Sequence, residues 1–258
     1  MGRKRVLITG ADGLVGTLIR RRLADEHDLR LLTHGPIDEP SHVADIADLE
    51  AIVPAFEGID SVVHLAAVPD VEAPWEEVLP ANIVGVRNVF EAARLGGVGQ
   101  VVFASSNHVI GMYEREGAPE IYDVDDPREY DQRVEPRPDS LYGVSKGFGE
   151  LIGRFYADSF GMRVICLRIG SVLDRPDADV MKELTHPSDD PAKLERRRRL
   201  GAIWQSHRDC AQLVARALDA DDVPWAIVYG VSDNARRFWD LSSARELLGY
   251  QPQDGAPG

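Results

Sequence analysis

The chain of 258 residues is long enough to bury a full hydrophobic core and lies at the upper end of the size of one domain. Its formal net charge of −14 argues against nucleic acid or an anionic membrane as a bulk partner, because both attract positive surfaces. No apolar run reaches the ~20 residues that cross a bilayer, and the basic start leads into a strand pattern instead of a secretory leader, so we expect a cytoplasmic protein.

The first half of the chain alternates apolar strand patterns with helical ones. Arg5–Thr9 predicts a first strand, glycines follow it, and apolar residues recur at helical spacing through Leu14–Glu26. The further elements predicted in this half are Leu29–Thr33 (strand), Asp48–Phe56 (short helix), Ser61–Leu65 (strand), Glu76–Leu95 (helix) and Val101–Ala104 (strand).

The second half continues the alternation after an interruption. Tyr113–Pro138 is acidic, carries prolines and lacks a regular period, so we predict a long surface loop or flap there. Val172–Arg199 has several prolines and aspartates before its arginine run, and we predict a second connecting loop of more than ordinary length there. Loops of that length in a compact domain are usually functional or mobile. The regular elements predicted in this half are Leu141–Phe160 (long helix), Arg163–Arg168 (strand), His207–Leu218 (helix), Ala226–Tyr229 (strand) and Ser242–Leu248 (short helix).

Buried apolar strands that alternate with helices are typical of βαβ units. The sequence therefore predicts the α/β class, with a doubly wound parallel sheet of the Rossmann type. We expect residues 1–258 to form one such domain, with segments at roughly 172–206 and 230–258 contributing a small substrate-binding portion. Ligands of this fold bind beyond the carboxyl ends of the strands, so we expect the site in the loops that follow them.

A glycine-rich turn follows the first predicted strand. Gly10 permits the tight turn, Gly13 lets the backbone approach a pyrophosphate, and Gly16 lets the following helix pack closely. The helix N-terminus offers amide donors to the phosphates. A purely structural turn can show the same pattern, but the position between a strand and a helix favours a dinucleotide site.

Tyr142 and Lys146 open the long predicted helix, four residues apart and therefore on one face of it. A lysine ammonium beside a phenol, together with a positively charged nicotinamide, is expected to lower the pKa of the phenol from ~10 towards neutrality. The pair therefore predicts a tyrosine that acts as a general base.

Small polar residues, Ser106, Asn107 and His108, follow the fourth predicted strand. Hydroxyls at the carboxyl end of a strand can hydrogen-bond a substrate oxygen beside the tyrosine. The same residue types also cap turns for purely structural reasons. The motif therefore gains its functional meaning from the glycine turn and the tyrosine–lysine pair.

The two cysteines, Cys166 and Cys210, lie far apart and outside any metal-binding spacing. We expect no metal site and interpret both as buried core residues.

Together, the glycine turn, the strand ending in SSNH and the YGVSK helix start resemble the extended short-chain dehydrogenases/reductases, the NAD-dependent epimerase/dehydratase superfamily. The resemblance extends over nearly the whole chain. Within that superfamily, FASSNHVIGMY, RPDSLYGVSKGFGE, LRIGS, WQSHRDC and YGVSDN are similar to uronate dehydrogenases and to NAD-dependent glucose-6-phosphate dehydrogenases of halophilic archaea. EAPWEEVLPANIVG and ARELLGYQPQD are more similar to the archaeal group. The resemblance implies a Rossmann fold, a small sugar as substrate and NAD as cofactor, with NADP left open.

The resemblance also implies roles for individual residues, with Tyr142 as the base and Asn82 helping to hold the active site. Those implied to bind the cofactor are Gly10, Gly13, Leu14, Val15, Gly16, Asp45, Ile46, Leu65, Ala66, Ala67, Tyr142, Lys146 and Ile169. Those implied to act in catalysis are Ser106, Tyr142, Lys146 and Asn82. Those implied to bind the sugar are Ser106, Asn107, His108, Tyr142, Ser171 and Arg199.

Two positions depart from the family pattern. Thr33, His34 and Gly35 follow the second strand, where an acidic residue normally binds the ribose 2′-OH, so the preference for NAD rests on the resemblance alone. Pro69 and Asp70 stand where uronate dehydrogenases carry a serine, and we expect the extra carboxylate to repel an anionic sugar.

Four consecutive arginines, Arg196–Arg199, close the second irregular segment. Such a run is usually a solvated helix face, which is our interpretation of its first three members. Arg199 lies five residues before Trp204, where the resemblance implies an arginine that grips an anionic group at the far end of the sugar. The planar guanidinium suits carboxylate and phosphate equally, so it does not decide between them.

These observations predict an NAD(P)-dependent oxidoreductase that oxidises the C1 hydroxyl of a small cyclic aldose, such as a sugar phosphate or a uronate, to an aldonolactone. A sugar-nucleotide epimerase or dehydratase that recycles its NAD is the first alternative, although such enzymes usually have a larger C-terminal region. A non-catalytic redox sensor is the second, although such proteins often lose the tyrosine or the lysine. The resemblance also implies a homodimer formed through the helices at Glu76–Leu95 and Leu141–Phe160.

Overall fold

The computed structural model describes residues 3–258 and centres on one sheet of seven parallel strands. The strands are β1 (Arg5–Thr9), β2 (Asp28–Thr33), β3 (His42–Val43), β4 (Ser61–His64), β5 (Gln100–Ser106), β6 (Arg163–Ile169) and β7 (Trp225–Gly230). Their order across the sheet is β3-β2-β1-β4-β5-β6-β7, so the winding direction reverses between β1 and β4. Met1 and Gly2, the first two residues of the predicted domain, lie outside the described residues.

Helices connect the strands and cover both faces of the sheet. They are α1 (Leu14–Leu23), α2 (Leu49–Ile52), α3 (Trp75–Val78), α4 (Val86–Leu95), α5 (Gly111–Gly117), α6 (Leu141–Phe160), α7 (Asp177–Thr185), α8 (Pro191–Ile203), α9 (His207–Asp219) and α10 (Ser242–Leu248). A π-helical segment at Leu79–Gly85 joins α3 to α4, and short 3₁₀ helices lie at Val53–Phe56, Asn107–Ile110 and Glu120–Tyr122. None of the helices within residues 3–258 is long and apolar enough to cross a membrane.

Alternate residues of the central strands contribute to two separate cores. Val6 and Ile8 of β1 belong to the core beneath α1, α9 and α10, whereas Leu7 between them belongs to the core beneath α4 and α6. Because both faces are covered, the strands have unbroken apolar sequences. This arrangement confirms the predicted doubly wound α/β fold.

The two irregular segments contain more helix than the sequence suggests. The prediction of a loop at Val172–Arg199 is wrong, because α7 and most of α8 lie there. Its prolines stand at helix starts, with Pro176 as the N-cap of α7 and Pro191 as the first residue of α8, where a missing amide hydrogen costs nothing. The predicted loop at Tyr113–Pro138 begins with most of α5 and the 3₁₀ helix that follows it.

Candidate active site

Many of the residues predicted to form the site lie around one cleft at the carboxyl edge of the sheet. The cleft has a volume of about 320 Å³ and opens beside the ends of β4, β5 and β6. The predicted residues that line it are Val15, Leu65, Ala67, Ser106, Asn107, His108, Tyr142, Lys146, Ile169, Ser171 and Arg199. The fold therefore brings predicted cofactor, catalytic and sugar residues to one volume.

The turn between β1 and α1 depends on glycine at two positions. Gly10 has a φ of 65°, in the left-handed region, and a Cβ there would lie 2.7 Å from the backbone nitrogen of Ala66. A Cβ at Gly16 would lie 2.3 Å from the Gly10 carbonyl oxygen. Only glycine at these two positions therefore lets the turn lie this close to the loop after β4 and lets α1 pack this close to the turn.

Among the described residues, the backbone amides at the start of α1 have no side-chain partner and can therefore bind a dinucleotide. Gly13 is the N-cap, and among residues 3–258 no side chain caps this helix end or places a carboxylate in its first turn. The first-turn amides, which include those of Leu14 and Val15, can therefore donate to a pyrophosphate. The residues present thus fit a dinucleotide such as NAD.

Asp45 and Ile46 lie outside the cleft lining, just beyond β3. The exposed Asp45 carboxylate accepts a hydrogen bond from the Ala47 amide at 2.9 Å. Ile46 is buried, and its carbonyl accepts from the Asn88 side chain at 3.1 Å. Their implied contact with adenine stays a prediction.

Ser106, Tyr142 and Lys146 lie together between β5 and α6. The Ser106 hydroxyl accepts from the His108 amide at 3.2 Å, donates to the Asn107 side-chain oxygen at 3.3 Å and lines the cleft together with Tyr142. The buried Lys146 ammonium donates to the Ala104 carbonyl at 2.8 Å and lies 5.5 Å from the centre of the Tyr142 ring. A hydroxyl, a phenol and an ammonium therefore surround one end of the cleft.

In the protein without bound cofactor, burial is the main cause of the pKa shifts of Tyr142 and Lys146. It raises the pKa of Tyr142 to about 12, while the neighbouring Ser106 hydroxyl acts in the opposite direction. Burial also lowers the pKa of Lys146 to about 8. In the protein without bound cofactor the desolvation of the phenolate therefore dominates, and the expected lowering of the pKa of the phenol beside both Lys146 and a charged nicotinamide stays a prediction.

The segment before α6 fixes both the helix start and His108. The Ser140 hydroxyl caps the helix by accepting from the Gly143 amide at 3.0 Å. Asp139 binds Nδ1 of His108 at 2.9 Å. Although burial acts to raise it, the hydrogen bond to His108 lowers the pKa of Asp139, so the residue is a carboxylate that accepts from Nδ1–H. Nε2 of His108 is then left for a ligand.

Asn82, implied to be catalytic, lies behind the cleft in the π-helical segment. Its side-chain oxygen accepts from the Val68 amide at 2.8 Å, and its side-chain nitrogen donates to the Val68 carbonyl at 3.0 Å and to the Ser145 hydroxyl at 3.1 Å. Asn82 therefore ties the loop after β4 to α6. Within residues 3–258 it makes no hydrogen bond to Tyr142 or Lys146, so its place in the structure is that of a positioning residue.

A second hollow, of about 690 Å³, adjoins the cleft and shares His108 and Arg199 with it. Arg199 donates from Nε to Oε1 of Glu114 at 2.6 Å, and the Tyr122 hydroxyl donates to the same oxygen at 2.8 Å. The arginine implied to bind the sugar is thus at the site and is already paired with a carboxylate.

The other arginines of the run point away from the cleft lining. Arg196 is exposed, Arg197 donates to the His186 carbonyl, and Arg198 pairs with Asp123 at 2.8 Å on the surface. These positions agree with a mostly solvated helix face.

Sequence reasoning missed Glu114, Tyr122 and Asp139. The first two lie in the segment predicted as a loop, where no periodic signal marks them. Asp139 carries a weak signal, because it directly precedes the Ser140 cap of a strongly predicted helix. Asp70 does not line the cleft, and its carboxylate accepts from the Glu72 amide of its own loop at 2.9 Å.

A family model described as the NAD dependent epimerase/dehydratase family matches residues 6–180 of this chain. The chain is 39% identical over 262 residues to the NAD-dependent glucose-6-phosphate dehydrogenase of Haloferax volcanii, covering 97% of this chain and 94% of that protein. It is also 39% identical over 264 residues to the L-arabinose 1-dehydrogenase (NAD(P)(+)) of that organism, covering 98% and 97%. Among solved structures, a mutant uronate dehydrogenase from Agrobacterium tumefaciens complexed with NAD is similar with a TM-score of 0.79 at 34% identity, covering 99% of this chain and 86% of that one.

Proposed function

The chain belongs to the NAD dependent epimerase/dehydratase family, and on that premise we propose that it is an NAD-dependent dehydrogenase that oxidises C1 of a small cyclic aldose to an aldonolactone. One observation carries the proposal: Ser106, Tyr142 and Lys146 line the same cleft as Val15 of α1 and Leu65 after β4. In this proposal the candidate base lies where the cofactor part of the cleft meets the sugar part. The relatives at 39% identity, whose names describe sugar dehydrogenases, support it.

In this proposal Tyr142 removes the proton of the C1 hydroxyl while Ser106 holds that oxygen through its hydroxyl. Bound NAD supplies the acceptor for the hydride that leaves C1. Lys146, held by the Ala104 carbonyl, places a positive charge beside the phenol when it is protonated. Asn107, His108, Ser171 and Arg199 bind the rest of the sugar.

Cofactor binding is assigned to the glycine turn and to the strand ends beside it. The turn glycines and the amides of Leu14 and Val15 bind the pyrophosphate, Asp45 and Ile46 contact adenine, and Leu65, Ala66, Ala67 and Ile169 line the remaining cofactor path. NAD is favoured because one relative is an NAD-dependent dehydrogenase and one structural neighbour is complexed with NAD.

The test is a panel of five sugars, each with NAD and with NADP, in which absorbance of the reduced cofactor is followed. We expect reduced cofactor to accumulate with at least one of glucose, arabinose, glucose 6-phosphate, glucuronate and galacturonate. An epimerase would convert its sugar without net reduction, and that outcome would contradict the proposal. A redox sensor would bind the dinucleotide and turn over none of the five.

We also propose that residues 172–206 and 230–258 form the substrate-binding portion within a single domain. A small apolar cluster of Val180, Leu184, Trp204 and Ala256 joins these two segments, separately from the two cores on the sheet faces. Ser171 and Arg199 connect this portion to the cleft.

The proposed assembly is a homodimer through the helical run from α3 to α4 and through α6. Both carry exposed apolar side chains, among them Leu95, Leu151 and Phe155, and Leu151 is 74% exposed. Exposed apolar area of this kind marks interaction surfaces. Light scattering should give a dimer mass for the native chain and a monomer mass for Leu151→Glu, whereas Leu247→Glu on α10 should stay dimeric.

For the compartment we propose the cytoplasm. Cys166 and Cys210 are free and buried, which suits a reducing environment.

A further inference from the structure

Glu114, on α5, is a buried carboxylate on the wall of the second hollow. It is 5% exposed, and its Oε1 accepts both from the Tyr122 hydroxyl at 2.8 Å and from Nε of Arg199 at 2.6 Å. These two bonds hold the Glu114 carboxylate beside the Arg199 guanidinium at the wall of the second hollow. No motif in the sequence marks Glu114.

Glu114 and Arg199 each keep hydrogen-bonding atoms that their mutual contact does not occupy. Among residues 3–258 no donor binds Oε2 of Glu114, and that oxygen is not enclosed. Arg199 donates to Glu114 through Nε, and among the described residues its two terminal nitrogens make no hydrogen bond to a carboxylate. An acceptor and two donors therefore stand side by side at the pocket wall.

The charges around the hollow are unfavourable for an anion. Its wall carries three carboxylates, those of Glu72, Glu114 and Asp139, against the two arginines Arg115 and Arg199. The positive charge of Arg199 is already balanced by Glu114, and His108 is bound to Asp139. A phosphate or carboxylate placed beside Arg199 would also lie beside the carboxylate of Glu114.

We propose that Glu114 is a specificity-determining residue that selects a sugar whose end away from C1 carries uncharged hydroxyls. This inference rests on the proposed function. A hydroxyl both donates and accepts, so it can donate to Oε2 of Glu114 and accept from a terminal nitrogen of Arg199. A phosphate or carboxylate group offers acceptors, which match Arg199 but not Oε2. Arg199 was expected to bind an anionic group at the far end of the sugar. Paired with Glu114, it binds a neutral hydroxyl there instead.

The test compares kcat/KM for two neutral sugars, glucose and arabinose, with kcat/KM for glucose 6-phosphate and glucuronate, in the native chain and in Glu114→Gln. Glutamine keeps an oxygen that accepts from Tyr122 and Arg199 and removes the charge. We expect the native chain to favour a neutral sugar by about tenfold or more, and Glu114→Gln to shrink that preference by about 10- to 100-fold, mainly through KM. The matched control is Glu116→Gln, on the same helix but paired with Arg137 on the surface, which should keep the native preference.

A native preference for either anionic sugar, or an unchanged preference in Glu114→Gln with a native melting temperature, would overturn the inference. If no sugar is oxidised, the proposed function fails, and calorimetric titration of the NAD-loaded protein with the same four sugars still tests Glu114. Tighter binding of a neutral sugar than of either anion supports the inference, and any other ranking, including no binding, overturns it.

Discussion

The two ends of the candidate site are built by different means. At the proposed cofactor end, the site is made of backbone: the turn at Gly10, the open start of α1 and the strand end at Leu65 follow from the positions of glycines at the edge of a parallel sheet. At the proposed sugar end, where the cleft adjoins the second hollow, the site is made of side chains from distant parts of the chain, such as Arg199 of α8 and Glu114 of α5, which are 85 residues apart. A site built from backbone tolerates few substitutions, so we expect related proteins to keep the same cofactor there. A site built from side chains can come to bind a different sugar through one substitution.

The largest expected effect is the loss of kcat in Tyr142→Phe, at the residue where the two ends of the site meet. Loss of the phenolic hydroxyl removes the base and should lower kcat by about 10²- to 10⁴-fold. The affinity for NAD, measured by calorimetry, should stay within about threefold, because the glycine turn is untouched. A variant with near-native kcat would show that another group takes the proton.

The next effect is expected from Gly10→Ala at the cofactor end. Alanine at a φ of 65° with its Cβ 2.7 Å from the Ala66 nitrogen strains the turn, which we expect to cost about 1–3 kcal/mol of unfolding free energy. NAD should bind at least about tenfold more weakly, with KM for the sugar nearly unchanged at saturating NAD. Gly99→Ala is the control, since a Cβ there meets nothing closer than 3.7 Å. Equal NAD affinities of the two variants would contradict a backbone-built site.

Arg199→Ala, at the sugar end, is expected to have the opposite pattern of effects, on KM for the sugar and not on the affinity for NAD. Removing the guanidinium should raise KM for the sugar by about tenfold and leave the affinity for NAD unchanged. Arg198→Ala, its neighbour on α8, loses only a surface pair with Asp123 and should keep the native KM. If Arg199→Ala weakened NAD binding instead, the division of the cleft into two ends would be wrong.

The last prediction concerns the pH dependence of kcat/KM. Since burial raises the pKa of Tyr142 to about 12, only a small fraction is phenolate near neutrality, and that fraction grows with pH. The pKa of Lys146 is lowered to about 8, so its charge is lost above that value. We expect kcat/KM to rise between pH 6 and about 8 and then to level off. A profile that falls over that interval would contradict a tyrosine base.

The cofactor end could be predicted from the sequence because its signals are local. The spacing of Gly10, Gly13 and Gly16 predicts a tight turn, in which Gly10 and Gly16 leave no room for a Cβ, and the strand patterns predict where that turn lies. The bounds of α6 agree with the prediction at both ends, since Ser140 caps its start and Gly161 ends it with a φ of 69°. Tyr142 and Lys146 are placed correctly for the same reason.

The sugar end could be predicted only in part. α8 buries only Gly201, Ala202 and Ile203, so it has no amphipathic period to identify it. Glu114 matters through contacts with Tyr122 and Arg199, which no local pattern encodes. The burial that raises the pKa of Tyr142 in the protein without cofactor could not be predicted either, because a sequence pattern shows the neighbouring charge but not the burial of the phenol.

The most direct test of the central claim is to follow the hydrogen that leaves C1. A sugar that the panel shows to be oxidised is prepared with deuterium at C1, and the reduced cofactor and the sugar product are analysed by mass spectrometry. We expect one deuterium in the reduced nicotinamide and none at C1 of a lactone product. Deuterium retained in the sugar, or released to water, would contradict oxidation of C1 in this cleft.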